Sequence, residues 1–431
     1  MYKRILTFFL ILFIINCSFG ENFLTFNSLF PFIQRSPLWQ IYQAQFENSV
    51  QSYNLAQISF KPQLSIQGGY GFTKDGKEVN TGSLSLNYSQ VIFSFGKAGI
   101  QQESSSIDLE QAKNNLRSNY LNLYYQFTQY FYNLYLAQER LKILEDSYKL
   151  AVRQREIAEK QFNNKTITET NLLDYKQREK LSEINLNSAK NNLEIAYKVL
   201  ENFLGIKLER IPVKLDIYFE PFNEKPEDLL NILYNENLTI KNAKLSLEKS
   251  KLSIKEANLP SWIFSLNGSY SSGNSSYNIS FDTQNYALNV GFKQNFGETQ
   301  ITSSDVWKVS FSFSIPILDG GSKNISLKKA ELSLKQAEIN FENTKKEVEL
   351  NFWKIYYNLL QAQENVKQKQ FNLEQKKINY DIQKIKYELG LITEIELKAS
   401  EIDYLQAEYD LKDAILNFNL QKIQLNIILN R

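Results

Sequence analysis

Two periodicities share this chain. Through most of its length apolar residues recur every three or four positions among Lys, Glu, Gln and Asn, the stripe of long amphipathic helices, whereas four short stretches alternate strictly. Leu64-Ser65-Ile66-Gln67-Gly68-Gly69-Tyr70-Gly71-Phe72, Leu84-Ser85-Leu86-Asn87-Tyr88, Phe264-Ser265-Leu266-Asn267-Gly268-Ser269-Tyr270 and Val309-Ser310-Phe311-Ser312-Phe313-Ser314-Ile315 put large apolar residues on one face. Ser, Asn, Gln or Gly fill the other face. A membrane barrel needs this pattern, with lipid outside and water inside; a soluble sheet with one wet face writes it too. Around the strands the sequence predicts helices from about Asn27 to Phe60, Lys97 to Phe162, Glu169 to Leu204, Glu227 to Asn258, Ser322 to Tyr387 and Glu394 to Asn430. Pro62 ends the first of these, and Pro260 stands at the matching helix-to-strand junction of the fourth.

The matching is an internal duplication. Tyr132-Asn133-Leu134-Tyr135-Leu136-Ala137-Gln138-Glu139 recurs as Tyr357-Asn358-Leu359-Leu360-Gln361-Ala362-Gln363-Glu364, at an offset of 357 − 132 = 225. Without a gap, Gly96 falls on Gly321, Ile167-Thr168-Glu169 on Ile392-Thr393-Glu394, and Leu172 on Leu397. A register held over roughly a hundred residues suits long helices whose packing forbids slips. Pro62 meets Pro260 at an offset of 198, so 225 − 198 = 27 additional residues lie among the strands of the second repeat. They include Gly273-Asn274-Ser275-Ser276 and Tyr286-Ala287-Leu288-Asn289-Val290, a polar loop with room for an extra hairpin.

Magnitudes constrain the assembly. A helix of about 65 residues is close to 100 Å long at roughly 1.5 Å per residue, deeper than any globular domain. One hairpin per repeat makes four strands per chain, too few for a membrane barrel, which needs about eight. Three copies would supply twelve strands, whereas the eight from two copies would enclose only side chains.

Composition narrows the function classes. Hydrophobic residues make up 43% of the chain, yet the net charge is only +2 with Lys and Glu interspersed, which leaves no field for nucleic acid. The chain has no histidine, and its one cysteine is Cys17. If cleavage follows Gly20, disulfides, thiolate nucleophiles and the commonest general base are all removed. A phosphate-binding glycine loop is missing as well, so neither an enzyme nor a cofactor is expected. Lys3-Arg4, the apolar run Ile5 to Ile15 and the small-x-small site Ser18-Phe19-Gly20 read as a signal peptide over residues 1–20. That stretch of eleven residues, ten apolar and Thr7, is too short to span a bilayer as a helix. Lipidation at Cys17 is the alternative, although Asn16 is a poor residue before a lipidated cysteine.

The signal sequence, the duplicated helix-hairpin-helix, the two prolines and the helix entries Phe93-Ser94-Phe95-Gly96-Lys97 and Leu318-Asp319-Gly320-Gly321-Ser322 together resemble the TolC-type outer membrane efflux proteins, or outer membrane factors. The resemblance covers about 22 to 430. Its most specific element is the reversal Tyr387-Glu388-Leu389-Gly390-Leu391-Ile392-Thr393, similar to the family's Val-Gly-Leu-x-Thr helix tip. It implies a mixed α and β membrane fold: a trimeric 12-stranded outer-membrane β-barrel, four strands per chain, continuous with a long periplasmic α-helical barrel. The implied function is a passive channel-tunnel for efflux or type I secretion. Its implied partners are a homotrimer, a periplasmic adaptor, an inner-membrane pump or ABC exporter, and outer-membrane lipid.

Site expectations follow at the two reversals. Gly390 supplies the positive φ that a reversal requires, and Thr393 can cap the returning helix with Glu394 and Glu396 in its first turn. In the first repeat Lys165 stands where Gly390 does, which leaves Asn163 or Asn164 to carry the turn. Gly390, Leu391, Thr393, Asn164, Lys165 and Thr168 are the expected adaptor-docking tips. The resemblance further implies a periplasmic gate. Tyr387 matches the family tyrosine and Glu396 the first acidic position, while Ile392, Ala399 and Asn171 replace the arginine and two other acidic residues. A first-turn Glu paired with a surface Lys is the other reading of Glu396.

The sequence therefore divides into the signal peptide, a first repeat at 21–204, an equatorial inter-repeat segment at 205–226, and a second repeat at 227–431. Aromatics such as Tyr124, Phe127, Phe131 and Tyr356 read as interhelical packing. A periplasmic coiled-coil scaffold is the rival class, against which the alternating strands count.

Overall fold

A computed structural model describes residues 23–58, 60–75, 77–92, 96–259, 262–283, 286–297 and 305–431. The expected signal peptide with Cys17, the Phe93-Ser94-Phe95 motif and Pro260 lie outside the described residues. The chain begins with β1 (Leu24–Thr25), α1 (Phe26–Leu29) and a 3-10 turn (Phe30–Arg35), followed by α2 (Pro37–Ile58), β2 (Gln63–Asp75) and β3 (Lys77–Val91). Next come α3 (Lys97–Asn163), α4 (Glu169–Leu204), β4 (Val213–Lys214), α5 (Pro226–Glu236) and α6 (Leu238–Ala257). The second strand set is β5 (Ile263–Ser272), β6 (Ser275–Asp282), β7 (Ala287–Gly297) and β8 (Val306–Ser314), before α7 (Ser322–Glu388) and α8 (Glu394–Ile428).

Two expected helices are broken, each at a capping residue. Between Asn27 and Phe60 the break falls at Ser36, which is extended (ψ 145°) and accepts the Trp39 N–H through its hydroxyl. Pro37 then opens α2 without an N–H to satisfy. Between Glu227 and Asn258 the break is Asn237, a buried residue. Its side chain accepts from the Ile240 N–H at 3.0 Å and donates to the Ile428 carbonyl at 2.7 Å, serving both α6 and the end of α8. Hydrophobic periodicity continues across both breaks, which is why it conceals them.

The chain divides into two compact units. One runs from the described N-terminus to Ile41 and adds Tyr120–Pro226 and Trp353–Ile427; the other is Tyr42–Asn119, Glu227–Phe352 and Ile428–Arg431. In the first unit, Phe26 packs its ring against Phe127 at 4.9 Å and Phe131 at 5.5 Å, both fully buried on α3. The aromatic run is packing, as its spacing suggests. The segment after α4 is laced into the same unit. β4 pairs in parallel with β1, and the Gln138 amide takes the Val213 N–H at 2.7 Å and donates to the Val213 carbonyl at 3.4 Å. Gln363, its counterpart at the 225-residue offset, accepts the Phe222 N–H at 2.7 Å. The duplicated Ala-Gln-Glu thus supplies two grips on one crossing segment.

The second unit holds an antiparallel sheet of six strands in the order β2-β3-β7-β6-β5-β8. Four were expected from one hairpin per repeat. The 27 additional residues account for the difference: after β5 the chain turns at Gly273 (φ +56°) into β6, returns as β7 beside β3, and comes back as β8 on the far side of β5. The expected hairpins survive as β2–β3 and β5–β8, with β6–β7 inserted between them. Alternation holds in all six strands, so one face is apolar and exposed, with Ile66, Tyr70, Trp307 and Phe313 each at least two-thirds accessible.

Gln363 is a buried acceptor for a buried amide. Gln363→Leu, nearly isosteric, should strand the Phe222 N–H and cost about 1–3 kcal/mol, since a buried group without its partner loses its full desolvation energy. Chemical denaturation of the purified protein should register the loss. A midpoint equal to wild type would mean that water satisfies the amide.

Candidate functional site

The two helix reversals have the same construction. At the end of α7 the Gly390 N–H donates to the Tyr387 carbonyl (2.9 Å) and the Leu391 N–H to Lys386 (2.8 Å). At the end of α3 the Lys165 N–H donates to Phe162 (2.8 Å) and the Thr166 N–H to Gln161 (2.9 Å). Both are the paired bonds of a Schellman turn, with Gly390 at φ +71° and Lys165 at φ +58° in the left-handed position. The expectation that Asn163 or Asn164 carries the first turn is thus corrected: Asn163 is the last residue of α3, and Lys165 takes the strained conformation itself. The duplicated register dictates the backbone, and the side chain at 165 bears the cost. The Thr166 hydroxyl donates to the Gln161 carbonyl at 2.8 Å, a bond that glycine-based Gly390 does without.

The returning helices are capped alike. Thr168 accepts the Asn171 N–H and Thr393 accepts the Glu396 N–H, each at 3.3 Å. Only the second tip completes a capping box: Glu396 Oε2 accepts the Thr393 N–H at 2.7 Å and its hydroxyl at 3.0 Å. These bonds, the backbone one first, hold the Glu396 carboxyl below its ordinary range. Asn171 occupies the corresponding place without a carboxylate. Asn164, Lys165, Thr168, Gly390, Leu391 and Thr393 are all exposed at the two turns, and Leu389 and Leu391 are each 69% accessible. Tyr387, Glu396 and Asn171 are exposed as well, so in a single chain no constriction closes around them.

Beyond the tips, polar links tie the helices together, and of their residues only Glu139 belongs to the repeated motif. Arg155 on α3 bonds Glu179 on α4 at 2.7 Å and Glu159 at 2.9 Å. Lys376 and Lys369 on α7 meet Asp403 (2.8 Å) and Asp410 (3.1 Å) on α8, with Tyr380 and Tyr404 stacked nearby at 5.8 Å. Between α3 and α8, Arg140 bonds Gln406, and Lys412 bonds Glu139 at 2.9 Å while holding Glu408. Partial burial opposes charge on Lys412, but its bonds to Glu408 and Glu139 prevail and raise its pKa. Only the pairing of sites far apart in sequence gives these residues meaning, and a single sequence does not display it.

Comparison with known proteins gives the family and the fold. The family model described as outer membrane efflux protein matches residues 32–206 and 229–431. Among curated proteins nothing matches. Among solved structures, the outer membrane protein VceC from Vibrio cholerae is similar at TM-score 0.66 and 16% identity, over 94% of this chain and 95% of that one. The Campylobacter jejuni CmeC outer membrane channel gives TM-score 0.69 at 15% identity, over 94% and 85%. The open-state Neisseria gonorrhoeae MtrE outer membrane channel gives 0.67 at 14%, over 94% and 88%.

The tips generate two tests of opposite sign. At Gly390 nothing lies within 4 Å of an added Cβ, so Gly390→Ala incurs only the left-handed backbone cost, about 1 kcal/mol. Hydrogen exchange at the Leu391 amide should quicken about fivefold, whereas Lys165→Gly should slow exchange at Thr166. The α8 cap also carries a pH dependence. Because the Glu396 pKa is lowered in the fold, its capping contribution is complete above the ordinary Glu range and is lost as pH falls through the lowered value. Glu396→Gln keeps the acceptor, so fraying of α8 on acidification should appear in wild type and vanish in the variant.

Proposed function

The chain belongs to the outer membrane efflux protein family, and from that premise we propose a passive outer-membrane conduit, one part of a tripartite efflux pump or type I secretion system. The observation that carries this reading is the exposed one-sided sheet, whose apolar face suits hydrocarbon and whose Ser, Asn and Gly face suits a water-filled lumen. A coiled-coil scaffold would have no use for it. The work of export lies with an inner-membrane pump or ABC exporter, and the channel needs no catalytic group of its own.

We place residues 1–20 in a cleaved signal peptide that takes Cys17 with it, the repeats at 21–204 and 227–431, and the crossing segment at 205–226 between them. Three copies form the channel. Its adaptor docks on the exposed tips, where Leu391 and Gly390 on one reversal and Asn164 and Lys165 on the other offer surfaces of the same backbone geometry. The gate lies just behind the tips. Three Glu396 carboxylates converge there with Tyr387, and Asn171 faces them from the other hairpin without charge. A ring of carboxylates in a narrow pore repels anions and concentrates cations. With Ile392 in place of a hydrogen-bonding arginine, the closed state has one latch fewer.

Native mass spectrometry in detergent should find three chains per particle, and a folded monomer that retains its sheet would defeat the assembly. Gly390→Val should lower export while trimers persist in the outer membrane, because the cost, on the order of 1–3 kcal/mol, bears on the tip alone. Export equal to wild type at matched expression would remove the tip from docking. In planar bilayers under a KCl gradient, Glu396→Gln should reduce cation preference and weaken block by multivalent cations from the periplasmic side. Since glutamine preserves the capping box, a change there reports charge and not a frayed helix. Unchanged selectivity and block would put the carboxylate on the outer face.

A further inference from the structure

The inserted hairpin β6–β7 is built as wall and not as a loop. Across the sheet the residues in register form rows, and two adjacent apolar rows run unbroken through the insertion. One row is Ile66, Leu86, Phe292, Tyr277, Tyr270 and Trp307, and the next is Leu64, Tyr88, Val290, Ile279, Gly268 and Val309. Neither contains a charged residue. In each, the two inserted positions, Phe292 and Tyr277 or Val290 and Ile279, are as apolar as those beside them. The opposite face is equally continuous: Ser65, Asn87, Gly291, Asn278, Ser269 and Lys308 form a polar row through the same six strands.

Length and pairing agree with that role. β6 has 8 residues and β7 has 11, against 10 and 9 in β5 and β8, near the 9–11 or so that cross a bilayer when tilted. β3 pairs with β7 over eleven positions, from Thr81↔Gly297 to Val91↔Ala287, and β5 pairs with β6 from Ser265↔Asp282 to Ser272↔Ser275, so the insertion is sealed into the sheet on both sides. A surface excursion would need neither the alternation nor the register. The outer edges of the sheet are β2 and β8. With six strands, an even number in antiparallel order, these edges run in opposite directions, and β8 of one copy can pair antiparallel with β2 of the next.

We propose that β6–β7 is a third pair of transmembrane wall strands and that the channel closes as a barrel of eighteen strands, six from each of three copies, in place of the twelve that one hairpin per repeat would give. This rests on the trimeric outer-membrane reading above. Eighteen strands put the lumen among barrels that hold an open aqueous channel, so in the membrane the passage is wide and selection falls to the helical end.

Single-cysteine variants of the full-length protein, reconstituted in nanodiscs and labelled with an environment-sensitive fluorophore, test the wall. Ile66→Cys and Leu86→Cys report the first hairpin, Ile279→Cys and Val290→Cys the insertion, and Asn289→Cys its polar face. Quenchers carried on lipid chains should reach Ile279 and Val290 to within about twofold of Ile66 and Leu86. Asn289 should respond to a water-soluble quencher instead. Quenching at Ile66 and Leu86 without quenching at Ile279 and Val290 would overturn the inference and leave the membrane reading intact; no lipid quenching at any of the four would overturn both. Electron cryomicroscopy of the same particles should resolve eighteen strands, and twelve would overturn the proposal even if the labels behave.

Discussion

A strand edge cannot be left bare in hydrocarbon, because no water is present to take its N–H and C=O groups. One chain of this protein carries two such edges, on β2 and β8, and an exposed apolar face between them. Neither burden can be relieved within the chain. In the proposed channel the face meets lipid and the edges meet other copies, so membrane insertion and oligomer formation become one event. The helices impose no comparable demand, since all their interior backbone groups are satisfied within each helix. Their polar links, such as Arg155 to Glu179, join neighbouring helices within the chain.

The parts of this fold governed by period and offset were legible in the sequence. Alternation located β2, β3, β5 and β8, and the 225-residue offset located both reversals and both threonine caps. The offset difference between the two prolines even measured the insertion, although its residues resolve into strands only once β7 is seen beside β3. What escaped is long-range or local to one residue. Ser36 and Asn237 break helices whose hydrophobic stripes run on unbroken. Lys165 adopts a conformation that favours glycine because the duplicated backbone around it leaves no alternative. Gln138 and Gln363 stand out as repeated residues, but nothing in their spacing tells that they hold Val213 and Phe222.

Duplication therefore repeats geometry more faithfully than chemistry. The two tips share every backbone bond of the turn, yet one presents Leu391 and a capping carboxylate while the other presents Thr166, Lys165 and Asn171. A partner that reads shape would find the two tips alike. One that reads charge or apolar contact would tell them apart, and the proposed gate inherits the same inequality.

The position of the insertion matters as much as its presence. Because β6–β7 enters between β3 and β5, it leaves both the β5–β8 pair and the two edge strands as they would be in a shorter chain. In the proposed barrel the seam between copies is consequently indifferent to girth. Circumference can be lengthened or shortened by gain or loss of an interior hairpin without re-evolving the contact that joins subunits, and a ring can in principle close from long and short chains together. In such an architecture the diameter of the mouth is free to drift while the rules of assembly stay fixed.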